Sequence, residues 1–228
     1  MDLKDAVAVV TGGNRGLGRQ LAVQLLERGA KVYAAARRPE SVDVDGAIPL
    51  RLDLADADSI RAAARIASDA TVLVNNAGIF TPTPLIGGDL DEVRQDMETN
   101  YFGPLAVARA FAPVIEGNGG GSILNVLSVL SWVHPAGFGA YSASKAAAWS
   151  LTDSIREELA PRGIAVTALH VGYMDTDMAR HVPADQKISP AAVAAQALDG
   201  LEKGLPEVLA DEVTRQVRLN LATAPTAA

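Results

Sequence analysis

Short apolar runs alternate with helix-period segments along nearly the whole chain, and this alternation restricts the possible folds more than any other feature. The strand-like runs lie near residues 7–10, 31–35, 48–52, 71–74, 122–127, 164–169 and 207–210. Strands that alternate with helices form βαβ units, in which the strands are parallel and the helices cover the sheet. The pattern predicts an α/β protein with a Rossmann-like, doubly wound sheet of seven parallel strands and helices on both faces.

Helical periodicity supplies the other half of this pattern. Leu17, Leu21 and Leu25 recur one helical turn apart, and Gly29 follows them where a left-handed C-cap is expected. Further helices are predicted around residues 90–111, 138–159 and 211–219. Pro190 has the position of the first residue of another helix. The segments between the strands therefore suit the helical layers of such a sheet.

The length of the chain bounds its domain organisation. Its 228 residues suffice for one well-cored domain and are few for two. The glycine-rich turn at 117–121 interrupts the pattern only briefly. We expect a single domain over residues 1–220 and a flexible tail over 221–228.

Composition excludes several classes of protein. The net charge is −7 and the basic residues are scattered, unlike the footprint of a nucleic-acid-binding protein. No apolar run approaches the roughly 20 residues that cross a bilayer, and the first residues lack an export signal, so we expect a cytoplasmic protein without a membrane partner. The chain has no cysteine for disulfides or thiolate catalysis. His134, His170 and His181 form no metal-binding motif, so we expect no metal site.

The segment VVTGGNRGLG carries three spaced glycines between the first strand and the first helix. Gly12, Gly16 and Gly18 differ from the GxGxxG spacing, because Leu21 stands where the last glycine of that motif would lie. Small residues still let the backbone approach a pyrophosphate, and a helix N-terminus offers free N–H groups and a positive dipole end. The segment predicts dinucleotide binding, and a purely structural strand-to-helix turn is the alternative.

The end of the second strand indicates which dinucleotide is bound. NAD-binding folds place a carboxylate there for the adenosine ribose, whereas this strand ends in Arg37 and Arg38. Guanidinium groups bind a 2′-phosphate, and Arg15 in the glycine turn is within reach of the same group. Two solvated arginines are the alternative, and Glu40 can still serve NAD(H). The pattern favours NADP(H) over NAD(H).

Several motifs stand in a common order along the chain. TGGNRGLG fits TGxxxGxG, NNAG follows the fourth strand at Asn75–Gly78, and YSASK at Tyr141–Lys145 fits YxxxK. In this order, the chain resembles the short-chain dehydrogenase/reductase family, single-domain type, over about residues 5–180. The resemblance implies a reversible, nicotinamide-dependent carbonyl reductase or alcohol dehydrogenase.

The resemblance also implies a catalytic tetrad of Asn100, Ser128, Tyr141 and Lys145. Hydride addition to a carbonyl builds negative charge on its oxygen, which a proton donor must neutralise. Tyr141 and Lys145 share one helix face, and the ammonium, aided by the oxidised nicotinamide, is expected to lower the tyrosine pKa from about 10 towards about 7. Ser128 would orient the carbonyl, with Ser131 as its rival. The alternatives are a helix-bending core asparagine and a lysine packed beside a tyrosine.

The resemblance extends to the cofactor-binding residues. The implied set is Gly12, Asn14, Arg15, Gly16, Leu17, Gly18, Arg37, Arg38, Asp53, Leu54, Asn76, Ala77, Gly78, Tyr141, Lys145, Gly172, Met174 and Thr176. Asp53 matches the acid that meets the adenine amino group, although Asp53 or Asp56 can instead cap a helix. The family pattern PGxxxT reads VGYMDT here, so Val171 replaces its proline and the turn is less preset.

The segment 179–189, where the family carries its substrate lid, is short. A short lid predicts an open pocket lined by Trp132, His134, Phe138 and Tyr173, which favours a mainly apolar ketone or aldehyde. Trp132 and His134 can alternatively lie in a subunit interface. The leading hypothesis is an NADPH-dependent carbonyl reductase, with Tyr141 as general acid, that forms a homodimer or homotetramer. The alternatives are a catalytically idle dinucleotide sensor and a 3-ketoacyl-thioester reductase.

Overall fold

The computed structural model describes residues 1–221 and contains one sheet of seven parallel strands in the order β3-β2-β1-β4-β5-β6-β7. The strands are β1 Val7–Thr11, β2 Lys31–Ala36, β3 Ile48–Arg51, β4 Val72–Asn75, β5 Gly121–Val126, β6 Ile164–His170 and β7 Glu207–Leu209. The predicted doubly wound α/β sheet is confirmed. Each predicted strand boundary lies within one residue of the observed one.

Helices cover both faces of this sheet. They are α1 Gly16–Glu27, α2 Ala57–Ile66, α3 Leu90–Met97, α4 Gly103–Gly117, α5 Gly139–Leu159, α6 Pro190–Glu202 and α7 Glu212–Leu221. On one face Leu21 and Leu198 belong to a buried cluster with β1 residues, while on the other Phe111 and Ile155 pack against the sheet. Most apolar residues of the strands are buried, on both faces of the sheet, whereas Ile48 on the edge strand β3 is 39% exposed.

The predicted long helix at 90–111 is interrupted by a π-helical segment, Glu98–Phe102, between α3 and α4. A π turn adds one residue to the repeat and thereby changes which side chains face the sheet. The helix also continues to Gly117, and α2 was not predicted. The other predicted helices are present, including the start of α6 at Pro190 and the positive φ of +89° at Gly29.

The carboxyl end of the chain differs slightly from the prediction. Leu221 is the last residue of α7, so the predicted tail begins one residue too early. The rest of that tail, residues 222–228, lies outside the described residues. Across residues 1–221, no helix combines the length and apolar character needed to cross a membrane.

The strand order reverses direction next to β1, because β2 and β4 lie on opposite sides of it. In open parallel sheets, ligands bind in the crevice outside the carboxyl ends of the strands at such a switch point. Here a cleft of about 1390 Å³ opens at that edge. It is lined by the ends of successive strands, at Thr11, Ala36, Leu52, Asn76, Val126 and Val171.

Candidate active site

The glycine turn and the start of α1 form the floor of the cleft at the β1 end. Gly12 and Gly16 have positive φ angles of +65° and +54°, which favour glycine. A Cβ on Gly18 would lie 2.1 Å from the carbonyl oxygen of Gly12, so the turn packs directly on the helix. Arg15, the N-cap residue, makes no side-chain cap hydrogen bond, and the first turn of α1 contains no acidic residue. The free N–H groups and the dipole of α1 therefore suit a pyrophosphate.

Two arginines at the end of β2 are available to a further phosphate. Arg37 and Arg38 are exposed and line the cleft, and within residues 1–221 their guanidinium groups have no ion-pair or hydrogen-bond partner. Glu40 follows them but is absent from the cleft lining. Arg15 also lines the cleft and forms an exposed ion pair with Asp177 at 3.2 Å. The residues present thus fit a dinucleotide with an adenosine phosphate.

The structure distinguishes the roles of Asp53 and Asp56, the two aspartates that follow β3. Asp56 caps α2, because its side chain accepts hydrogen bonds from the backbone N–H groups of Asp58 and Ser59. Asp53 lines the cleft and accepts only a local hydrogen bond from Ala55 N, at 3.1 Å. Leu54 lines the cleft beside it. The side chain of Asp53 is therefore free to accept a hydrogen bond from a ligand.

The NNAG segment joins β4 to its neighbours. The hydroxyl of Thr11 on β1 accepts hydrogen bonds from the backbone N–H groups of Asn76 and Ala77, at 3.0 and 3.1 Å. Asn76 Nδ2 donates to the Thr11 carbonyl at 2.9 Å, and Asn75 Nδ2 donates to Asn125 Oδ1 on β5, also at 2.9 Å. These bonds fix the backbone of Ala77 and Gly78 at the cleft wall.

The turn after β6 is held in place without the proline of the family pattern. The buried Val171 accepts a hydrogen bond from Val129 N through its carbonyl at 3.0 Å, and Gly172 N donates to the Asp211 carboxylate at 2.7 Å. Gly172, Met174 and Thr176 then line the cleft. The methyl group of Thr176 would be 3.3 Å from a Cβ on Gly16, so this segment lies opposite the glycine turn.

Ser128, Tyr141 and Lys145 come together at the centre of the cleft. Ser128 follows β5, and its hydroxyl accepts a hydrogen bond from Leu130 N at 3.1 Å. Tyr141 and Lys145 lie one turn apart on α5, with Lys145 Nζ 5.7 Å from the centroid of the tyrosine ring. Lys145 is buried and donates to the Val126 carbonyl at 3.0 Å. Ser131, the rival serine, is buried away from the cleft.

Asn100 lies behind this group, in the π-helical segment. Its side chain exchanges two hydrogen bonds with the backbone of Ile79, both at 3.0 Å, and donates a third to Ser144 Oγ at 3.0 Å. It does not line the large cleft, but it lines a small internal cavity together with Lys145. Asn100 thus ties the loop after β4 to α5, directly beside the lysine.

Burial dominates the charge states at this centre. It raises the pKa of the Tyr141 phenol above its ordinary value; the Ser128 hydroxyl lowers that pKa in part, and the negative Asp96 adds to the rise. Burial lowers the pKa of Lys145 to about 8, and Asp96 partly opposes this. The expected lowering of the tyrosine pKa invoked the lysine and the oxidised nicotinamide together, so it stays a prediction for the site with its cofactor bound; in the protein alone, desolvation raises that pKa.

An aromatic group surrounds the phenol at the open end of the cleft. Phe80 is central to it: its ring stacks on Phe138 at 5.4 Å and meets Tyr141 edge-on at 5.4 Å. His181 lies 6.5 Å from Phe80 and 6.5 Å from Tyr173. All five residues line the cleft. This end of the cleft is thus suited to apolar and aromatic groups.

A family model described as short chain dehydrogenase matches residues 6–187. The chain belongs to this family. At 32% identity over 202 residues it is similar to the 3-oxoacyl-(acyl-carrier-protein) reductase FabG of Vibrio cholerae, with 84% of this chain and 83% of that enzyme covered. It is 33% identical over 184 residues to the NADPH-dependent 1-acyldihydroxyacetone phosphate reductase of Schizosaccharomyces pombe, covering 77% of this chain and 62% of that enzyme.

Solved structures show the same fold for this short-chain dehydrogenase. The crystal structure of a short chain dehydrogenase from Burkholderia cenocepacia in complex with NADP superposes with a TM-score of 0.93 and 40% identity, over 97% of this chain and 94% of that one. A short-chain dehydrogenase from Streptomyces avermitilis superposes with a TM-score of 0.87 and 28% identity, over 98% and 94% of the two chains. The protein is an oxidoreductase of this family.

Two of the residues predicted to line the substrate pocket of this short-chain dehydrogenase lie elsewhere. Trp132 is buried and stacks on His170 at 3.9 Å, while His134 is exposed and absent from the cleft lining. His170 on β6 is fully buried and provides the aromatic surface on which Trp132 packs. His170 also reaches the catalytic loop, since its Nδ1 lies 3.2 Å from the Ser128 carbonyl oxygen.

Phe80 and His181 of this short-chain dehydrogenase line the cleft but were not among the residues predicted for the substrate pocket. Phe80 follows the NNAG motif after one further residue, and the hydrogen bonds that fix Ala77 place it beside Tyr141. His181 lies in the short lid segment. The position of Phe80 next to the motif was a usable signal, whereas nothing in the pattern identified His181. Gly18, which was predicted to bind the cofactor, packs against the Gly12 carbonyl of the glycine turn and does not line the cleft.

Proposed function

We propose that the protein is an NADPH-dependent carbonyl reductase that runs reversibly as an alcohol dehydrogenase. The observation that carries this proposal is the meeting of Ser128, Tyr141 and Lys145 in the cleft that also contains the glycine turn and the segment from Gly172 to Thr176. A spectrophotometric screen of NADPH oxidation over aliphatic, aromatic and acyl-thioester ketones tests it. Oxidation with none of these compounds would instead support the catalytically idle dinucleotide sensor.

The side chains of the site have complementary roles in this reaction. Bound NADPH would supply the hydride to the carbonyl carbon. Tyr141 donates a proton to the carbonyl oxygen, and the Ser128 hydroxyl donates a hydrogen bond that orients that oxygen. Lys145 holds positive charge beside the phenol and stabilises the tyrosinate that proton transfer leaves. Asn100 holds the loop at Ile79 against α5 and so positions this group.

The charge states favour the reductive direction at neutral pH. Because burial keeps the Tyr141 phenol protonated, the acid that reduction requires is the resting form. The oxidative direction needs the tyrosinate, which burial disfavours. Alcohol oxidation is therefore expected to be faster in more alkaline solution, until Lys145 loses its proton.

The alkaline limit of reduction tests the state of Lys145. The pH dependence of kcat/KM for NADPH reports the free enzyme, in which the pKa of Lys145 is lowered to about 8. We expect kcat/KM for NADPH to be level below that pH and to fall as the pH rises through it. Asp96→Asn removes a buried negative charge that raises the pKa of Lys145, so the fall should begin at lower pH.

A matched variant controls for the loss of a carboxylate in this measurement. Asp58→Asn removes an exposed carboxylate of α2 that pairs with Arg61. Its pH profile should coincide with that of the unmodified protein. A profile of Asp96→Asn that also coincides would contradict the influence of Asp96 on Lys145.

The preference for NADPH is supported by Arg37 and Arg38, whose side chains line the cleft and are unpaired within the described part of the chain. The Burkholderia relative was solved with NADP. In Arg37→Ala/Arg38→Ala, we expect the KM for NADPH to rise at least about 10- to 100-fold, because the loss of even one charged hydrogen bond of about 1.5–3 kcal/mol corresponds to this range. The KM for NADH should change little.

Initial rates with each coenzyme, at a fixed carbonyl concentration, measure this effect. Arg65→Ala is the control, since Arg65 is an exposed arginine of α2 outside the cleft lining. Its two KM values should match those of the unmodified protein. An equal rise for NADPH and NADH in the double variant would show that the arginines do not bind the 2′-phosphate.

A second candidate substrate class is the 3-ketoacyl thioesters. The 32% identity to the FabG reductase of Vibrio cholerae favours it. Against a carrier-bound substrate stands the net charge of −7, which weakly repels an acidic carrier protein. Comparing kcat/KM for acetoacetyl coenzyme A with that for a simple apolar ketone separates the two classes.

A further inference from the structure

The aromatic group beside Tyr141 forms a wall on the substrate side of the cleft. We define the aromatic wall as Phe80, Phe138, Tyr173 and His181. The rings of Phe80 and Phe138 are nearly parallel, with an interplanar angle of 19°, and both side chains are only partly buried. Tyr173 and His181 are exposed at the mouth of the cleft. The wall thus presents ring surfaces to the cleft in addition to packing on itself.

Phe80 links this wall to the reacting group. Its ring is almost perpendicular to that of Tyr141, at 89°, with the centroids 5.4 Å apart. Because Phe80 lines the cleft beside Tyr141, a substituent of the carbonyl carbon can reach this ring when the carbonyl oxygen accepts the Tyr141 proton. The opposite neighbour of Phe80 is His181, at 6.5 Å and 22°, and His181 lies in the short lid segment. Phe80 thus lines the cleft beside both the phenol of Tyr141 and His181 of the lid segment.

The charges around the wall argue against an anionic substrate. Lys145 donates to the Val126 carbonyl and lies beside the phenol, so its charge belongs to the catalytic step. Arg94 and Arg180 near the mouth are paired with Asp91 and Asp177, at 2.7 and 2.6 Å. The neighbouring carboxylates partly neutralise these two arginines, so the pairs offer an anionic substrate little net attraction.

We propose that the aromatic wall selects carbonyl compounds with an aromatic ring attached to the carbonyl carbon, and that Phe80 determines this specificity. The proposal rests on the proposed reductase function. Aromatic pairs in stacked or edge-on geometry are stabilised beyond the burial of their area, which corresponds to a preference of about three- to tenfold over a saturated ring of the same size. A leucine at position 80 keeps an apolar surface and removes this contribution.

Two matched substrates isolate the aromatic contribution. Phenyl methyl ketone and cyclohexyl methyl ketone share a carbon skeleton, so kcat/KM for each is measured with the unmodified protein and with Phe80→Leu. Their intrinsic reactivities differ, but this difference cancels when the two ratios are compared. We expect Phe80→Leu to lower kcat/KM for the phenyl ketone about three- to tenfold and to change that for the cyclohexyl ketone less than about twofold.

Further variants separate recognition from folding. Phe102→Leu is the matched control, because Phe102 is 47% exposed and does not line the cleft, and it should leave both values unchanged. Phe80→Trp retains an aromatic surface and should retain the preference for the phenyl ketone. Inhibition constants of 1-phenylethanol and 1-cyclohexylethanol give a binding readout, and Phe80→Leu should weaken only the former.

The outcomes distinguish the two proposals. An equal loss for both ketones in Phe80→Leu, or a preference that Phe80→Trp abolishes as well, overturns the aromatic selection while the reductase function stands. An unchanged ratio in Phe80→Leu also overturns it. If the unmodified protein oxidises NADPH with no carbonyl compound, the reductase function itself fails, and the inference about its substrate fails with it.

Discussion

Tyr141→Phe is expected to lower kcat for carbonyl reduction by about 10²- to 10⁴-fold, the usual contribution of a positioned general acid. The substitution removes one hydroxyl and keeps the ring that meets Phe80 edge-on. Because Ser128 retains its place in the cleft, the substrate can still bind and be oriented. The loss should therefore appear mainly in kcat, with little change in the KM for the ketone.

The same variant should keep its fold and its cofactor affinity. Tyr141 lies on α5, whose packing on the sheet depends on other residues such as Ile155 and Leu159. The thermal unfolding midpoint and the dissociation constant of NADPH are therefore expected to stay close to those of the unmodified protein. Stopped-flow absorbance with saturating NADPH measures the chemical step directly.

Tyr101→Phe is the control for this experiment. Tyr101 is another partly buried tyrosine, it packs edge-on against Phe102, and it does not line the cleft. Its kcat should stay within about twofold of the unmodified value, as for a surface change outside a functional site. If Tyr141→Phe also stayed within that range, the proton would have to come from a group other than Tyr141.

The burial of Tyr141 and Lys145 determines the charge states of the proposed general acid and its neighbour. Sequence spacing indicates that Tyr141 and Lys145 share a helix face, but it contains no information on how much protein surrounds them. The structure shows that desolvation raises the pKa of the phenol and lowers that of Lys145 to about 8. Bound NADP⁺, with its positive nicotinamide, would favour the tyrosinate by adding charge to the cleft. The reactive state of the site therefore depends on its ligands.

The strands were predicted well because parallel sheets bury both faces of each strand. A strand buried on both faces has a continuous apolar sequence, as in Val7–Thr11, and this pattern is visible in the sequence. Helix α2 was missed because it is short and eight of its ten residues are alanine or polar. The π turn at Glu98–Phe102 was missed because no residue type in ETNYF marks the extra residue that the turn adds to the helical repeat. Such local changes become visible only once the helix packs on the sheet.

The candidate site likewise has a part that the sequence predicts well and a part that it predicts less well. The family motifs fix the backbone through hydrogen bonds between neighbouring strands, such as those of Thr11 with Asn76 and Ala77. The positions of residues within these motifs could therefore be predicted from the sequence. Trp132 lies in a loop whose direction depends on its contact with His170, a residue distant in sequence. A contact between residues distant in sequence cannot be predicted from a local sequence pattern. The residues on the substrate side of the cleft were therefore predicted less well.

Gly18→Ala is expected to weaken NADPH binding by at least about tenfold and to lower the free energy of unfolding by about 1–3 kcal/mol, as for overpacking in a filled site. The added Cβ would lie 2.1 Å from the Gly12 carbonyl oxygen and 2.5 Å from Asn76 Nδ2. The backbone of the turn must therefore move away from α1. Since the N–H groups of α1 and the turn would form the proposed pyrophosphate site together, this displacement is expected to reduce affinity as well as stability.

Gly117→Ala provides the comparison for this variant. Gly117 ends α4, and a Cβ there would meet no other atom within 4 Å. Alanine in a helix is more stable than glycine by about 0.5–1 kcal/mol, so this variant should be equally stable or slightly more stable and should bind NADPH normally. Urea denaturation and fluorescence titration with NADPH give both quantities. If Gly18→Ala matched Gly117→Ala in both, the close packing of the glycine turn on α1 would not be what shapes the pyrophosphate site.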